Sequence, residues 1–523
     1  MFRKVLVANR GEIAVRVMRA LRELRIRSVG IYSSADRGAL HVRYAGEAHE
    51  VGPAPAAESY LRIDRILEVA RRAGCDALHP GYGFLSERAE LARACAGAGV
   101  AFIGPPPEAI DAMGSKTGAR ARMTAAGVPV VPGTEPLGAD PDAWTRAATG
   151  LGYPVLVKAA AGGGGKGMRA VAAPADLADA VARARSEAQN AFGDSTVYME
   201  KLVQAPHHVE IQVLGLADGT VLHLWERECS IQRRHQKIVE ETPSPLLDEG
   251  MRAAMGAVAV RAAAAVGYRG AGTVEFLVDG RTREFFFLEM NTRLQVEHPI
   301  TEMVTGIDLV QAQVRIAAGE ALGLRQEDLA RRGAAIECRV YAEDPSAGFM
   351  PSPGRIVQAR EPGGVGVRVD SGIYPGAEVP SLYDPLLAKV VAWGETREVA
   401  RQRMARALAE YVVTGVRTNL AYLAAVVDHA AFRAGDYDTG FVDRCRDELL
   451  RESAAVPPDL AEVAALTAAV AAYERDRARG LDGGHAGGSG AGDRDRSDGA
   501  GAPNVVSPSG SRRPSPWKRW ALP

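Results

Sequence analysis

The segment from Glu284 to Pro299 alternates polar and apolar side chains, and it constrains the fold more than any other part of the chain. An extended backbone places alternate residues on opposite faces, so one face can pack on a core while the other presents polar groups. The apolar positions are Leu288, Met290, Leu294 and Val296, and the polar positions are Glu289, Asn291, Arg293, Gln295 and Glu297. The pattern predicts a strand that presents a binding site, against the plainer alternative of a half-buried strand with one face in water.

A second strand-like run, residues 272–278, precedes this segment and ends at a turn signal. With the loop placed at 279–283, the two runs form a hairpin in which Glu275 lies diagonal to Glu289 on the same face. Two such carboxylates and the Asn291 amide suit Mg²⁺ or Mn²⁺, which take oxygen ligands. A change of one residue in the length of the loop would place Glu275 and Glu289 on opposite faces of the hairpin.

Composition narrows the class of protein. A length of 523 residues favours about three domains. The net charge of −1 gives no support to a nucleic-acid or anionic-membrane partner. The five cysteines form no CxxC pair, which argues against a disulfide framework or zinc site and favours a reducing cytoplasm. No signal peptide and no run of about 20 apolar residues is present, so no membrane segment is expected.

The N-terminal region, predicted to be a domain over residues 1–113, opens with a pattern typical of a parallel α/β sheet. Residues 2–8 read as a strand, 13–24 as a helix and 29–33 as the next strand. The turn at 9–12 has one glycine where a dinucleotide fingerprint needs three, so NAD binding is not expected.

A glycine-containing loop, residues 81–87, follows a strand that ends near Pro80. Loops at the carboxyl ends of parallel strands are common ligand positions, although spacing alone leaves a plain connecting loop open. The Ser86-Glu87 pair predicts the start of a helix, and another helix is predicted over 108–126.

Four consecutive glycines, residues 162–165, lie between two strand-like runs and are followed by Lys166 and Gly167. Glycine lets backbone N–H groups approach phosphate oxygens closely. The loop is not a Walker loop, because glycine follows the lysine and a strand follows the loop. We expect a flexible flap over phosphates, with an interdomain hinge as the alternative.

The segment 228–237 is basic and, taken alone, reads as a solvated patch. Cys229 and His235 would have the residue types of a nucleophile and its base, but nothing orients the pair. A small buried cysteine is the commoner situation.

A third, α+β domain is predicted over residues 333–446, where short strands are followed by helices. Beyond it, an Ala-rich helix is predicted within 447–479, and the Gly/Ser/Asp/Arg/Pro-rich segment 480–523 is predicted to be disordered. Its aromatic and basic end, residues 517–520, is a candidate for docking to a partner.

Together these motifs resemble the biotin carboxylase family of ATP-grasp ligases over about residues 1–446. The motifs that carry the resemblance are residues 8–14, residues 79–87, the glycine-rich flap, residues 228–237 and residues 289–299. The resemblance implies a multidomain α/β and α+β fold. Its parts are an N-terminal Rossmann-like parallel-sheet domain, an ATP-grasp domain over residues 114–318 with a glycine-rich lid, and a C-terminal α+β domain.

The resemblance also implies site residues. Those implied to contact ATP are Lys116, Lys158, Gly164, Gly165, Glu200, Lys201, Val203, His208, Gln232, His235, Glu275 and Glu289. The implied ligands of Mg²⁺ or Mn²⁺ are Glu275, Glu289 and Asn291. Lys237, Arg293 and Val296 are implied to bind bicarbonate, Glu297 to act as its base, and Tyr82, Gly83 and Arg339 to contact biotin. The implied catalytic residues are Arg293, Glu297, Lys237 and Arg339.

The implied reaction begins when bicarbonate attacks the γ-phosphate of ATP while the metal and lysines neutralise its charge. The carboxyphosphate product breaks down to CO₂ and phosphate, and the phosphate removes the biotin ureido proton. Arg339, which is always charged, then holds the enolate-like oxygen.

Two features depart from the family pattern. The flap begins Ala160-Ala161 where many members have Ser-Gly, and no Ala-Met-Lys-Met biotin-attachment motif follows Arg451. We therefore expect the chain to act on biotin held by a separate biotin carboxyl carrier protein, with carboxyltransferase subunits as further partners. A cytoplasmic homodimer without nucleic-acid or membrane partners is expected.

The expected pathway is the first half-reaction of acetyl-CoA carboxylase, towards malonyl-CoA and fatty acid synthesis. The alternatives are a subunit of propionyl-CoA, methylcrotonyl-CoA or pyruvate carboxylase. Two other classes are an ATP-grasp ligase that joins a carboxylate to an amine, and a catalytically silent ATP-binding or scaffold subunit. The biotin loop and Arg339 argue against the first, and the complete set of metal and bicarbonate residues argues against the second.

Overall fold

The computed structural model describes residues 1–160, 168–455, 462 and 465–475, except for the side chains of residues 116, 117 and 192. The chain divides into two units, Met1–Ser453 and Ala454–Pro523. In the second unit the described residues 465–475 are helical, within the segment where the sequence predicts a helix. The predicted flap at 162–167 and the tail at 480–523 lie outside the described residues.

A five-stranded parallel sheet, in the order β3-β2-β1-β4-β5, forms the N-terminal part of the first unit. Its strands are β1 (Lys4–Val7), β2 (Arg27–Ser33), β3 (Glu47–Gly52), β4 (Ala77–His79) and β5 (Ala101–Phe102). Its helices are α1 (Gly11–Glu23), α2 (Leu40–Tyr44), α3 (Ile63–Arg72), α4 (Ala89–Gly97) and α5 (Pro107–Gly114). Val5, Leu6 and Val7 are fully buried, as expected for a central parallel strand covered on both faces. The predicted Rossmann-like sheet is confirmed.

Two helix predictions in this region are wrong in detail. The Ser86 N–H donates to the Gly83 carbonyl at 3.0 Å, so a turn stands where the sequence predicts the start of α4. The single helix predicted over 108–126 is two helices, α5 and a following helix α6 (Lys116–Ala125). Ser115 has an extended backbone and its hydroxyl oxygen accepts from the Gly118 N–H, which caps the second helix.

The middle of the chain builds a small sheet and most of a large one. Its further helices are α7 (Pro141–Leu151), α8 (Leu177–Phe192), α9 (Glu249–Ala264), α10 (His298–Thr305) and α11 (Leu309–Ala317). Its strands are β6 (Val155–Ala159), β7 (Arg169–Val171), β8 (Val197–Lys201), β9 (Pro206–Gly215), β10 (Val221–Arg233), β11 (Gln236–Thr242), β12 (Gly270–Asp279) and β13 (Phe285–Asn291). Strands β6, β7 and β8 form a three-stranded antiparallel sheet, with the predicted flap between β6 and β7.

The large sheet has eight antiparallel strands in the order β13-β12-β9-β10-β11-β14-β21-β19, and its last three strands come from the C-terminal region. The C-terminal strands are β14 (Ala334–Tyr341), β15 (Glu343–Asp344), β16 (Met350–Pro351), β17 (Gly354–Arg355), β18 (Gln358–Arg360), β19 (Val367–Ser371), β20 (Glu378–Val379), β21 (Leu386–Gly394) and β22 (Val412–Thr414). The C-terminal helices are α12 (Arg397–Glu410), α13 (Leu420–Asp428), α14 (Ala430–Ala434), α15 (Phe441–Arg444) and α16 (Arg446–Ala454). The predicted ATP-grasp and C-terminal regions therefore share one sheet.

Helices α12 and α13 cover one face of this sheet, where fully buried Ile336, Val340 and Val390 join the core. Helix α10 packs on β14, β10, β11 and β21. The site described below lies where the residues before α10 meet these strands. Among the described residues, no helix is long and apolar enough to cross a bilayer.

Candidate active site

Glu275 and Glu289 face each other directly across the β12–β13 pair. The sequence predicts a diagonal arrangement, and that register is wrong because β13 contains a bulge: Phe276 pairs with Phe287, so Leu288 has no partner on β12. Leu288, predicted to be on the core side, is 41% exposed for this reason. The direct pair brings the two carboxylates closer than a diagonal pair would.

The predicted polar strand face ends early, because β13 stops at Asn291. Glu297 precedes α10, and Pro299 lies in the first turn of that helix, where a missing N–H costs nothing. Glu297 therefore reaches the site through a loop and a helix start. The prediction that it shares a strand face with Glu289 is wrong.

Glu297 is buried between two cations that come from different strands. Its Oε1 accepts from Lys237 Nζ at 2.7 Å, and its Oε2 accepts from an Arg339 terminal nitrogen at 2.9 Å. Burial alone would raise the pKa of this carboxyl, but Lys237, Arg339 and Arg227 outweigh burial and hold the pKa below its ordinary value. Arg293 is not one of these partners, because it donates to Glu87 and Asn291 instead.

Arg227 and Glu210 organise the floor of the site, and neither is among the residues predicted from the sequence. Arg227 is fully buried, and its Nε donates to Glu210 Oε1 at 2.5 Å. It also donates to side-chain oxygens of Gln212, Thr273, Gln295 and Thr301. The other Glu210 oxygen accepts from Lys237 at 2.6 Å. The sequence did offer one signal for Arg227 and Glu210: each is a charged residue at an inward position of an alternating strand. A charged side chain is buried at such a position only when another charge pairs with it.

Glu275 is the most heavily bonded carboxylate of the hairpin. Its Oε1 accepts from Asn291 Nδ2 at 2.9 Å, Gln295 Nε2 at 2.7 Å and Lys237 Nζ at 3.1 Å. Its Oε2 lies 2.9 Å from His208 Nε2. Burial alone would raise the pKa of this carboxyl, but Lys237 and His208 hold the pKa well below its ordinary value. Glu275 therefore stays ionised at neutral pH.

The predicted metal set of Glu275, Glu289 and Asn291 lies at the end of this hairpin, with Glu289 opposite Glu275 and Asn291 hydrogen-bonded to Glu275. The Asn291 oxygen accepts from Arg293 at 2.7 Å, so a metal ion would compete with that guanidinium for the amide oxygen. Two facing carboxylates, one of them held ionised, have the donor chemistry that a hard divalent cation prefers. The residues present therefore have the donor types that Mg²⁺ or Mn²⁺ takes, and a bound ion would compete with Lys237 and His208 for the Glu275 oxygens.

A nearby cluster with metal-like spacing is better described as an ion-pair network. Ligand atoms of His208, Glu210 and Glu275 lie within 4.8 Å of one another. Both Glu210 oxygens, however, are bonded to Arg227 and Lys237, so cations of the protein already neutralise that carboxylate.

The loop after β4 joins the site through Glu87. This carboxylate accepts from the Thr292 N–H at 3.2 Å and from Arg293 Nε at 3.0 Å. At the other end of the loop, Asn9 Nδ2 donates to the Tyr82 carbonyl at 2.8 Å. These hydrogen bonds hold the predicted biotin loop at both ends, with Glu87 beside Arg293. Gly83, the other predicted biotin contact, is exposed and has φ +70°, a conformation that disfavours other residues.

The predicted ATP contacts of the small sheet surround Glu200. The Glu200 carboxylate accepts from Lys158 at 2.8 Å and Arg120 at 2.7 Å. Lys201 does not join this cluster, because its Nζ donates to the Gly152 carbonyl at 2.6 Å. Val203 is buried.

The remaining predicted ATP contacts divide into two groups. Gln232 and His208 form one group beside Glu275, with Gln232 Nε2 2.9 Å from His208 Nδ1. His235 lies apart from them and is exposed in the β10–β11 turn. Gly164, Gly165 and the side chain of Lys116 lie outside the described residues.

The solvated-patch reading of residues 228–237 is wrong for most of the segment. Glu228, Cys229 and Ser230 are buried in β10, and only Arg234 and His235 are exposed. Burial raises the pKa of the Cys229 thiol well above its ordinary value, so it is a neutral core residue and not a nucleophile.

Val296, the last predicted bicarbonate residue, is held by a buried lysine that was not predicted from the sequence. Lys389, on β21, is fully buried and donates to the Val296 carbonyl at 2.8 Å. Its Nζ also lies 3.4 Å from a Glu12 oxygen and 5.8 Å from the Tyr82 ring centroid. The Val296–Glu297 turn is thus anchored on two neighbouring strands, at Lys389 and Arg339.

Three family models match the chain in the order of these regions. They are "Biotin carboxylase, N-terminal domain" at residues 1–110, "Carbamoyl-phosphate synthase L chain, ATP binding domain" at 115–325 and "Biotin carboxylase C-terminal domain" at 337–444. Together they span nearly all of the first unit.

Characterised relatives and solved structures agree with these matches. One pyruvate carboxylase subunit of Methanothermobacter thermautotrophicus is 51% identical over 491 residues, covering 91% of this chain and 100% of the relative. The biotin carboxylase of Halalkalibacterium halodurans is 53% identical over 442 residues, covering 84% of this chain and 97% of the relative. The biotin carboxylase domain of the Hydrogenobacter thermophilus 2-oxoglutarate carboxylase has 46% identity and a TM-score of 0.80, covering 86% of this chain and 99% of that one. The Campylobacter jejuni biotin carboxylase has 45% identity and a TM-score of 0.80, covering 85% and 99%. The chain therefore belongs to the biotin carboxylase family and is an ATP-grasp ligase.

Proposed function

We propose that this chain carboxylates biotin on a separate carrier protein, converting ATP, bicarbonate and the biotinyl carrier into ADP, phosphate and the carboxybiotinyl carrier. The observation that carries the proposal is Glu297, a buried ionised carboxylate with Lys237 on one oxygen and Arg339 on the other. This arrangement combines a proton acceptor with two anion-binding groups, as the activation of bicarbonate requires.

Glu297 is proposed to accept the proton of bicarbonate. Bicarbonate is a poor nucleophile until that proton moves, and an ionised carboxylate beside it is a suitable base. Lys237 and Arg293 supply positive charge for the anion, and Lys237 also bonds Glu297 directly at 2.7 Å. Proton transfer to Glu297 would weaken that ion pair, leaving Lys237 more available to the anion as its charge develops.

Glu275 and Glu289 are proposed to hold Mg²⁺ or Mn²⁺ with ATP, and a bound divalent cation would neutralise phosphate charge. Lys158, paired with Glu200 at 2.8 Å, is proposed to contact the nucleotide. The solved 2-oxoglutarate carboxylase domain that resembles this chain is a complex with MgADP, ADP and bicarbonate, which supports the same ligands here.

Arg339 and the Tyr82–Gly83 loop are proposed to contact biotin. Glu87 ties this loop to Arg293, and Lys389 lies beneath the Tyr82 ring while holding the Val296 carbonyl. The loop and the Val296–Glu297 turn are thus connected through the protein, which supports a shared biotin and bicarbonate site.

The final acceptor of the carboxyl group is proposed to be acetyl-CoA, with a carboxyltransferase as partner in a cytoplasmic complex. Propionyl-CoA, methylcrotonyl-CoA and pyruvate are the alternatives, and relatives named as pyruvate carboxylase and methylcrotonoyl-CoA carboxylase subunits keep them open. A homodimer is proposed, since the related 2-oxoglutarate carboxylase domain is described as a dimer. Affinity purification from the source cells, followed by identification of co-purifying subunits, would separate these acceptors.

The test of the core activity is ADP release with free biotin, measured with and without bicarbonate. We expect release that requires both biotin and bicarbonate for full rate. An amine-dependent rate without bicarbonate would indicate the other class of ATP-grasp ligase, and ATP binding without any turnover would indicate a silent subunit.

A further inference from the structure

Two buried glutamates face each other directly beneath Arg339. Glu240 on β11 pairs in register with Glu337 on β14, and their side chains are 1% and 0% exposed. Residues directly opposite in an antiparallel pair have Cβ atoms about 4.5–5.5 Å apart, which is within reach for two glutamate side chains. Two ionised carboxylates at that spacing, away from water, would repel each other strongly.

The hydrogen bonds around this pair leave three oxygens without a donor among the described residues. Glu240 Oε1 accepts from Arg339 Nε at 2.6 Å, but Glu240 Oε2 has no partner. Neither oxygen of Glu337 has one. A buried ionised carboxylate without donors is very unfavourable, whereas a single proton between the two groups would satisfy an oxygen on each side.

The neighbouring charges do not supply a donor to Glu337. Arg339, two residues along the same strand, bonds Glu240 and Glu297. Lys389, opposite Arg339 on β21, donates to the Val296 carbonyl. Burial raises the pKa of Glu337 well above its ordinary value and raises that of Glu240 to about 7, against the opposing effects of Lys389 on Glu337 and of Arg339 on both.

We propose that Glu337 is a positioning residue that holds one proton against Glu240 and so fixes Glu240 where its other oxygen orients Arg339. Protonated Glu337 donates to Glu240 Oε2, and Glu240 Oε1 accepts from Arg339. Arg339 is thereby aimed between Glu240 and Glu297. The proposal rests on the proposed role of Arg339 in binding biotin.

Two substitutions distinguish the effect of the Glu337 proton from the effect of the side-chain volume. Glu337→Gln keeps a hydrogen-bond donor without a charge, and Glu337→Met keeps a similar volume without a donor. We expect Glu337→Gln to leave kcat and the KM for biotin within about 2-fold of wild type. Glu337→Met should raise the KM for biotin by about 10-fold, because a buried Glu240 oxygen left without a donor costs roughly that factor. Its KM for ATP should stay unchanged, which distinguishes mispositioning of Arg339 from general loss of folding.

An infrared measurement tests the proton directly and does not depend on activity. At pH 8, the wild-type minus Glu337→Gln difference spectrum should contain the C=O stretch of a protonated carboxylic acid, shifted in D₂O. Absence of that band would overturn the proposal, and so would a Glu337→Gln enzyme as impaired for biotin as Glu337→Met. Bicarbonate-dependent ADP release by the wild type tests the proposed function separately, so failure of either idea can be recognised on its own.

Discussion

Glu297 is ionised at neutral pH because cations surround it, and a base must be ionised before it can accept a proton. A carboxyl whose pKa is lowered on folding contributes stability above its ordinary pKa, 4.5, and loses that contribution only as the pH falls. Glu297 therefore stays ionised through the neutral range. Glu289 has a different setting, since it is exposed on β13 and lies directly opposite Glu275.

Because Glu297 is buried between cations and Glu289 is exposed opposite Glu275, their conservative variants should lose different steps of the reaction. Glu297→Gln should keep the affinity for metal–ATP close to wild type and lower turnover by roughly 10²–10⁴, the usual contribution of a general base. Glu289→Gln should instead weaken metal–ATP binding. Metal–ATP titrations and steady-state rates for both variants provide the measurement, and each variant serves as the control for the other. If Glu297→Gln loses metal–ATP affinity while Glu289→Gln loses only turnover, the two roles are assigned the wrong way round.

Single charged residues inside strands were the hardest part of the site to predict. Glu275 and Glu289 could be paired from alternation alone, although the bulge at Leu288 changed their register. For Arg227 and Glu337 the alternation of the strand was not enough, because a charged side chain in an alternating strand reads equally well as facing water. Only the position of β10 and β14 inside the large sheet shows that both are fully buried.

At the scale of elements, the loop between β13 and α10 is held from several directions. Lys389 on β21 donates to the Val296 carbonyl, Arg339 on β14 bonds Glu297, and Glu87 from the loop after β4 bonds Arg293. The polar–apolar alternation of this segment predicted a strand. The contacts that make it a loop join segments far apart in sequence, so the local sequence carries no sign of them. The elements of the N-terminal sheet were predicted more closely, since local burial and turns determine them.

We predict that Lys389→Met raises the KM for bicarbonate by about 10-fold or more, because the Val296 carbonyl would lose its buried charged donor, an interaction typically worth about 1.5–3 kcal/mol. Affinity for ATP should be retained. The variant will also be less stable, since Glu12 and Asp370 lose a buried cation, so rates are measured at a temperature where circular dichroism shows a folded protein.

Lys4→Met is a matched control for Lys389→Met. Lys4 Nζ donates to the Ala73 carbonyl, as Lys389 Nζ donates to that of Val296, and it is also paired with a carboxylate, that of Glu47, but it lies outside the site. This control should lose stability without any change in the KM for bicarbonate. An equal increase in both variants would mean that Lys389 acts only through stability.

At the scale of the whole molecule, the site draws on all three sequence regions. The N-terminal sheet contributes the loop with Glu87, the middle region contributes Lys237 and Glu297, and the C-terminal region contributes Arg339 and Lys389. Because β14, β19 and β21 continue the large sheet, the middle and C-terminal regions are joined by strand pairing and not by a linker alone. The sequence predicted the regions but could not show that they share a sheet.

We predict that the chain itself is not biotinylated, because its sequence contains no Ala-Met-Lys-Met attachment motif. A blot of the purified protein with labelled streptavidin is the measurement, with a biotinylated carrier protein as the positive control. A reactive band at the full length of the chain would contradict the prediction and would mean that a different lysine is modified.

The last prediction concerns the segment 480–523, which contains none of the predicted site residues. Deleting it should leave bicarbonate-dependent ADP release with free biotin nearly unchanged, because every described contact around Glu297 comes from the first unit, Met1–Ser453. The same deletion should weaken capture of a carrier or carboxyltransferase subunit if the aromatic and basic residues 517–520 dock a partner. Rates with free biotin and pull-down yields are therefore measured on the same two proteins. A folded truncation that loses activity with free biotin would show that the segment belongs to the catalytic core.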